Sequence, residues 1–283
     1  MPSTRPLRSV LYIPASRPRA MEKAASLACD AIIFDLEDAV APAEKADARA
    51  ALVAELAGRS FGRRLRIVRI NALDTAWGRA DAAALADHAG ADAILIPKVN
   101  RAADLDAVAE IAPGKPLWAM METPLAVLNA GEIAAHPALE GLVMGTNDLL
   151  KDLNARFRPD RLALQTGLGL CLLAGAAHGK AVVDGVFNAF KDLEGLQAEC
   201  EQGRDLGFDG KTLIHPDQIA VANAVFAPSA ADIDLARRQI DAFEAASAAG
   251  QGVAVVDGKI VENLHIVTAR ALLRKAEAIA AMA

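Results

Sequence analysis

The sequence is poor in the residues that usually label a protein. Three cysteines in 283 residues, Cys29, Cys171 and Cys200, are odd in number and fit no C-x-x-C or zinc spacing. A disulfide framework and a thiolate metal site are therefore excluded, and three buried thiols are expected. The five histidines are scattered without ligand spacing, and neither H-E-x-x-H nor G-x-S-x-G occurs. Metalloprotease and serine-hydrolase chemistry drop out. Basic residues number 30 against 36 acidic, a net charge of −6. No clustered basic excess exists to neutralise phosphate, so nucleic acid is not an expected partner. Long apolar runs are missing too. The longest helical one, residues 168–177, falls well short of the ~20 residues of a membrane span. The apolar run at 10–13 is too short for a signal-peptide core, so a cytoplasmic location away from membranes is expected.

Glycine patterns that cradle nucleotides are also missing. "GFDGKT" at 207–212 invites a phosphate-loop reading, but Asp205 stands where that motif needs glycine. "GLGLCLLAG" places its third glycine too late, at Gly175, for a dinucleotide fingerprint.

What the chain does hold is repetition. Hydrophobic residues make up 53%, alanine is abundant, and aromatics are only 4%. Short β-type runs recur, each followed by a longer Ala/Leu-rich helical stretch: "SVLYIP" (9–14), "AIIFD" (31–35), "RIVRI" (66–70), "AILIP" (93–97), "PLWAMM" (116–121), "LEGLVM" (139–144), "AVVDG" (181–185) and "KTLIHP" (211–216). Eight such units are what a (β/α)8 TIM barrel requires, with a doubly wound open sheet as the alternative. After Pro228 the character changes. Residues 229–250 read as one helix, with Ser229 as N-cap and Gly250 as its stop. Alternating residues then flank Asp257-Gly258, a hairpin signal, before a final helix. The expected organisation is a barrel over 1–228 and a helical and hairpin extension over 229–283.

In such a barrel the chemistry sits just after each strand. There the chain carries Ser16 and Arg17, then Glu37 and Asp38, Arg69 and Asn71, Lys98, Glu122 and Thr123, and Asn147 and Asp148. Glu122 and Asp148 end adjacent strands, and two carboxylates completed by water and substrate oxygens suit Mg2+. Arg69 offers a planar fork for a substrate carboxylate or enolate. The same acids could simply cap the following helices, and Arg69 could simply pair with Glu37 or Asp38.

Taken together, "RSVLYIPASRPRAMEKA", "DAIIFDLEDAVAPAEKADAR", "VRIN", "ILIPKV", "METP", "GTNDLLKDL", "VVDGVFNAFKD", "GFDGKTLIHPDQI" and "GVAVVDGKIVE" resemble the CitE-like (citrate lyase β subunit-like) branch of the HpcH/HpaI aldolase superfamily. That branch includes malyl-CoA and citramalyl-CoA lyases and malyl-CoA thioesterases. The resemblance implies a Mg2+-dependent barrel, with Mn2+ as a substitute, acting on a CoA thioester. It implies Glu122 and Asp148 as metal ligands, Arg69 on the keto-acid portion, and Glu37 and Asp38 holding Arg69 and the metal waters. Arg17 and Lys23 would meet CoA phosphates, although Ala15 stands where the family usually has glycine. Asp257 would enter a neighbouring subunit's site as acid/base, in a homotrimer or hexamer. The expected reaction is carbon–carbon cleavage of a 3-hydroxyacyl-CoA such as (S)-citramalyl-CoA or malyl-CoA, giving acetyl-CoA and pyruvate or glyoxylate. The alternatives are a (S)-malyl-CoA thioesterase, a citrate lyase β subunit yielding oxaloacetate, and a noncatalytic binding protein.

Overall fold

The computed structural model describes residues 5–282. The chain forms two compact units, Leu7–Phe226 and the segment from Ala227 on.

The first unit is a closed barrel of eight parallel strands in chain order: β1 (Ser9–Pro14), β2 (Ala31–Asp35), β3 (Leu65–Arg69), β4 (Ala93–Ile96), β5 (Leu117–Met121), β6 (Leu139–Met144), β7 (Ala181–Asp184) and β8 (Gly210–Leu213), with β8 closing on β1. The eight runs read from the sequence are these eight strands. The open-sheet alternative falls away. Two ends differ. Arg69 is the last residue of β3, and β8 stops three residues before the expected Pro216. There His215 accepts the Asp217 N–H and opens a 3-10 turn over Pro216–Gln218, which ends the strand.

Strand alternation divides the interior into two cores. Val10, Ile33, Ile67, Leu95, Trp118 and Val143 point into the barrel. Leu11, Phe34, Val68, Ile94, Ala119 and Leu142 point outward under the helices. The inner core is crowded, since a Cβ on Gly141 would come within 2.6 Å of the Trp118 ring. Glycine at that position makes room for the indole.

A buried ionic set joins the last strands to the helical layer. Lys211 Nζ lies 2.7 Å from Glu199 Oε1 and 3.3 Å from Asp184 Oδ2. Arg161 Nη1 contacts both Asp184 oxygens, at 2.8 and 2.7 Å. Burial opposes the Lys211 charge, but Asp184 and Glu199 more than offset it and raise its pKa. Two cations and two anions cancel, which is how charges survive where water does not reach.

The second unit opens with a helix, Ala230–Ala248, capped by Ser229 in a reciprocal box with Asp232. Gly250 follows its end at φ +77°. Strands β9 (Ala254–Val256) and β10 (Lys259–Val261) pair antiparallel around Asp257 (φ +49°) and Gly258 (φ +74°). Two successive left-handed residues make the type I′ turn that Asp-Gly favours. A last helix, Asn263–Ala280, covers a small core of Ala254, Val256, Val261 and Ile266. The stretch Pro216–Ala248 has the length and mean hydropathy of a membrane span. It is, however, broken around Pro228, and its second helix carries Asp232, Asp234, Arg237 and Arg238.

Replacing Asp184 with Ala leaves Arg161 and Lys211 under-compensated in the interior. The expected loss is about 3–5 kcal/mol of unfolding free energy, measured by urea denaturation of the variant against the parent chain.

Candidate active site

The register of β2 on β3 sets Asp35 beside Arg69, so the last residue of each strand faces the other. Arg69 Nε donates to Asp35 Oδ1 at 2.8 Å and Nη2 to Oδ2 at 2.6 Å, a two-pronged ionic bond. Nη1 donates to Asp38 Oδ2 at 3.2 Å. Glu37 Oε2 lies 2.8 Å from the same nitrogen, an ion-pair contact outside hydrogen-bond geometry. Asp35 also accepts backbone N–H groups from Glu37 at 2.9 Å and Ala39 at 3.1 Å. One carboxylate thus holds the arginine and curls the acidic loop back over it.

The loop is pinned from behind as well. Buried Lys45 donates to the carbonyls of Leu36 and Glu37 at 3.0 and 2.9 Å. Asn71 donates to the Leu36 carbonyl at 3.0 Å and to Asp81 at 2.6 Å, and Arg49 pairs with Asp81 at 2.9 Å. Burial pushes the Glu37 carboxyl up to about 8, against the pull of Arg69 and with the push of Asp38, Glu122 and Asp35.

Glu122 follows β5, and its Oε1 accepts the Lys98 N–H at 2.7 Å. Lys98 adopts a left-handed backbone, φ +52°, an unfavourable conformation for a side chain of its size. A Cβ on Gly145 would fall 2.2 Å from Glu122 Cβ and 2.8 Å from Oε2. Glycine after β6 therefore keeps the glutamate in place. Burial raises the Glu122 pKa; the Lys98 N–H and Arg69 oppose the rise, and Asp148 adds to it. Asp148 sits in the first turn of the helix Thr146–Asp152, half-exposed. Glu122, Asp148, Arg69, Asp35, Asp38 and Tyr12 line one cavity of about 380 Å3.

Among the described residues no three His, Cys, Asp or Glu side chains gather as a metal cage. A cation in this cavity would have Glu122 and Asp148 as protein ligands and oxygens from water and substrate for the rest. That donor set fits magnesium and not zinc, and the space that Gly145 leaves around Glu122 fits a carboxylate held ready for it.

Arg69, Glu37, Asp38, Glu122 and Asp148 thus meet at one end of the barrel. Arg17 and Lys23 do not line the cavity; they are exposed at the start and in the last turn of the short helix Pro18–Ala24. Ala15 is buried and keeps a negative φ, so the missing glycine costs no backbone strain. Asp257 is exposed on the hairpin, bonded to Arg238 at 2.8 Å, which holds its carboxyl below the usual range. Among the cavity residues, Asp35 was visible in the sequence as an acid at a strand end but was given no role, and Tyr12 was not singled out. Tyr12 had only its place on the inward face of β1.

The model of the HpcH/HpaI aldolase/citrate lyase family matches residues 8–216. A (3S)-malyl-CoA thioesterase of Cereibacter sphaeroides (strain ATCC 17029) is 71% identical over 276 residues, covering 98% of this chain and 96% of that enzyme. An L-malyl-CoA/beta-methylmalyl-CoA lyase of the same strain is 36% identical, over 99% of this chain and 98% of that enzyme. Protein CitE from Mycobacterium tuberculosis, solved in complex with magnesium, acetoacetate and coenzyme A, superposes with a TM-score of 0.81 at 34% identity, covering 97% of this chain and 100% of that one.

Because the folded pKa of Glu37, about 8, lies above its ordinary 4.5, its contribution to stability is full below pH 4.5 and is lost as pH rises through 8. Glu37→Gln should therefore melt higher than the parent at pH 9 without divalent cations, by roughly 2–4 °C. The difference should vanish near pH 5. Thermal midpoints across that range check it, and a variant that melts lower at pH 9 contradicts it.

Proposed function

The chain belongs to the HpcH/HpaI aldolase/citrate lyase family, and on that footing we propose that it hydrolyses (3S)-malyl-CoA to malate and free CoA in a magnesium-dependent site. The observation that carries this reading is the 71% identity to the malyl-CoA thioesterase along 98% of the chain. It moves hydrolysis ahead of carbon–carbon cleavage, which the motifs alone had put first. Cleavage of malyl-CoA or citramalyl-CoA is the second reading, supported by the 36% identical lyase.

In this reading Asp35 and Asp38 hold three of the N–H groups of Arg69, and its remaining donors receive the substrate carboxylate. Asp35 fixes the arginine's plane, and Glu37 and Asp38 both lie against its Nη1. Glu122 and Asp148 would hold magnesium, which would supply a Lewis acid for the substrate's oxygens. Arg17 and Lys23, both exposed, take the phosphates of CoA. Asp257 of a neighbouring copy, in a homotrimer or hexamer, takes a proton from the water that adds to the thioester carbon. The carbon–sulfur bond then breaks, and Asp257 returns that proton to the sulfur, so CoA leaves as the thiol and the aspartate is again ionised. Arg238 holds the Asp257 carboxyl below the usual range, so it starts as the carboxylate, and leaving Arg238 for the substrate would raise its basicity. In the lyase reading the same aspartate, once protonated, would deliver its proton to the enolate carbon of acetyl-CoA.

Incubation with malyl-CoA and Mg2+ should release thiol and malate in equal amounts without glyoxylate, and EDTA should stop it. Glyoxylate without thiol would transfer the assignment to the lyase. Asp257→Asn should lower kcat by about 10²–10⁴-fold while Mg2+ binding, followed by calorimetry, stays unchanged. Near-parental turnover would remove the in-trans role.

A further inference from the structure

We propose that the hydroxyl of Tyr12 donates a hydrogen bond to the carbonyl oxygen of the bound thioester, while its ring holds the plane of Arg69. The proposal rests on the reading of the cavity as a CoA-thioester site.

Tyr12 is the only tyrosine in the chain. It lies on β1 opposite Ile33 of β2, on the strand face that points into the barrel, and it lines the cavity with Arg69 and Glu122. Its ring centroid is 5.2 Å from the Arg69 Cζ, within reach of a cation–π contact. Arg69 is thus gripped along its edges by Asp35 and Asp38 and faced by an aromatic ring.

A phenylalanine would serve that purpose equally well. The hydroxyl needs a separate account, and its partner in the protein is poor: the thioether of Met120, at 3.4 Å. Sulfur is a weak acceptor, and the hydroxyl belongs to a half-buried side chain on the cavity wall, where a better acceptor can reach it. The charged groups around it do not ask for its ionisation. Burial raises the Tyr12 pKa well above the ordinary value; Arg69 opposes this, and Asp35, Glu122 and Glu37 reinforce it. The phenol is accordingly a fixed O–H donor.

A thioester in this cavity offers the missing acceptor. As water adds to the carbonyl carbon, electron density moves onto the carbonyl oxygen, and a neutral donor on the cavity wall binds that oxygen more strongly than it binds the starting carbonyl. The proton stays on Tyr12 throughout. The same donor would meet the enolate oxygen of a lyase reaction, so the role does not depend on which bond breaks.

Two substitutions separate the ring from the hydroxyl. Tyr12→Phe keeps the ring over Arg69 and loses only a bond to sulfur, so its thermal midpoint should match the parent. Its kcat on malyl-CoA should fall by about 10²-fold with KM nearly unchanged. Tyr12→Leu should lose the hydroxyl and also release Arg69, raising KM in addition. Because there is one tyrosine, 3-fluorotyrosine incorporation gives a single 19F resonance, which should move when malate and CoA are added with Mg2+. Parental kcat in Tyr12→Phe, or a resonance that the ligands leave in place, would overturn the proposal. If the parent chain releases neither thiol nor glyoxylate from malyl-CoA, the functional reading fails and the proposal falls with it; if the parent is active and only Tyr12→Phe keeps parental kcat, the proposal alone fails.

Discussion

The pairing of Asp35 with Arg69 is the constraint on which the rest of the site depends. Both are nearly excluded from water, and each gives the other the opposite charge that a buried ion needs. Their strands meet in register, so the sheet itself brings the two groups together. Once paired, Asp35 still has lone pairs for the backbone of Glu37 and Ala39. The acidic loop is therefore a consequence of the ion pair. Lysine in place of Arg69 could not reproduce this arrangement, because a single ammonium cannot grip two oxygens in one plane and present a flat face to a ring.

A second constraint acts on the opposite side of the cavity. Glu122 owes its place to two backbone features: a lysine bent into a left-handed conformation so that its N–H reaches Oε1, and a glycine that leaves room for the carboxylate. Strain at Lys98 is tolerated because β4 and β5 fix both ends of the contact. Guanidinium on one wall and carboxylates on the other make a cavity suited to a substrate that carries a carboxylate and gathers negative charge on oxygen. Hydrolysis and carbon–carbon cleavage share that need, which is consistent with relatives of one scaffold bearing the names of both activities.

Much of this was legible in the sequence. Parallel strands buried on both faces are continuous apolar runs, and the polar residues just after them could be recognised as one end of a barrel. The hairpin showed itself through Asp257-Gly258, and the helix start through Ser229. What escaped depends on geometry between distant positions. Asp35 was counted as a strand terminus, because only the β2–β3 register shows what it holds. Lys211 drew attention as the lysine of a phosphate loop that failed to match, yet it is buried against Asp184 and Glu199. A set of charges that cancels in three dimensions leaves no pattern along the chain. Tyr12 shared its fate, since inward-facing residues of a barrel look alike until the cavity above them is seen.

The three cysteines are each almost wholly inaccessible, and burial pushes their thiols up to about 11 for Cys29 and about 12 for Cys171 and Cys200. Thiolate is the form that exchanges with disulfides, so these sulfurs are both unreachable and unreactive at neutral pH. For a protein proposed to liberate CoA, this has a chemical benefit. Each turnover would release a thiol that, once oxidised, can cap any exposed cysteine as a mixed disulfide. A surface without thiols gives that product nothing to attach to, so the catalyst does not accumulate adducts of its own leaving group.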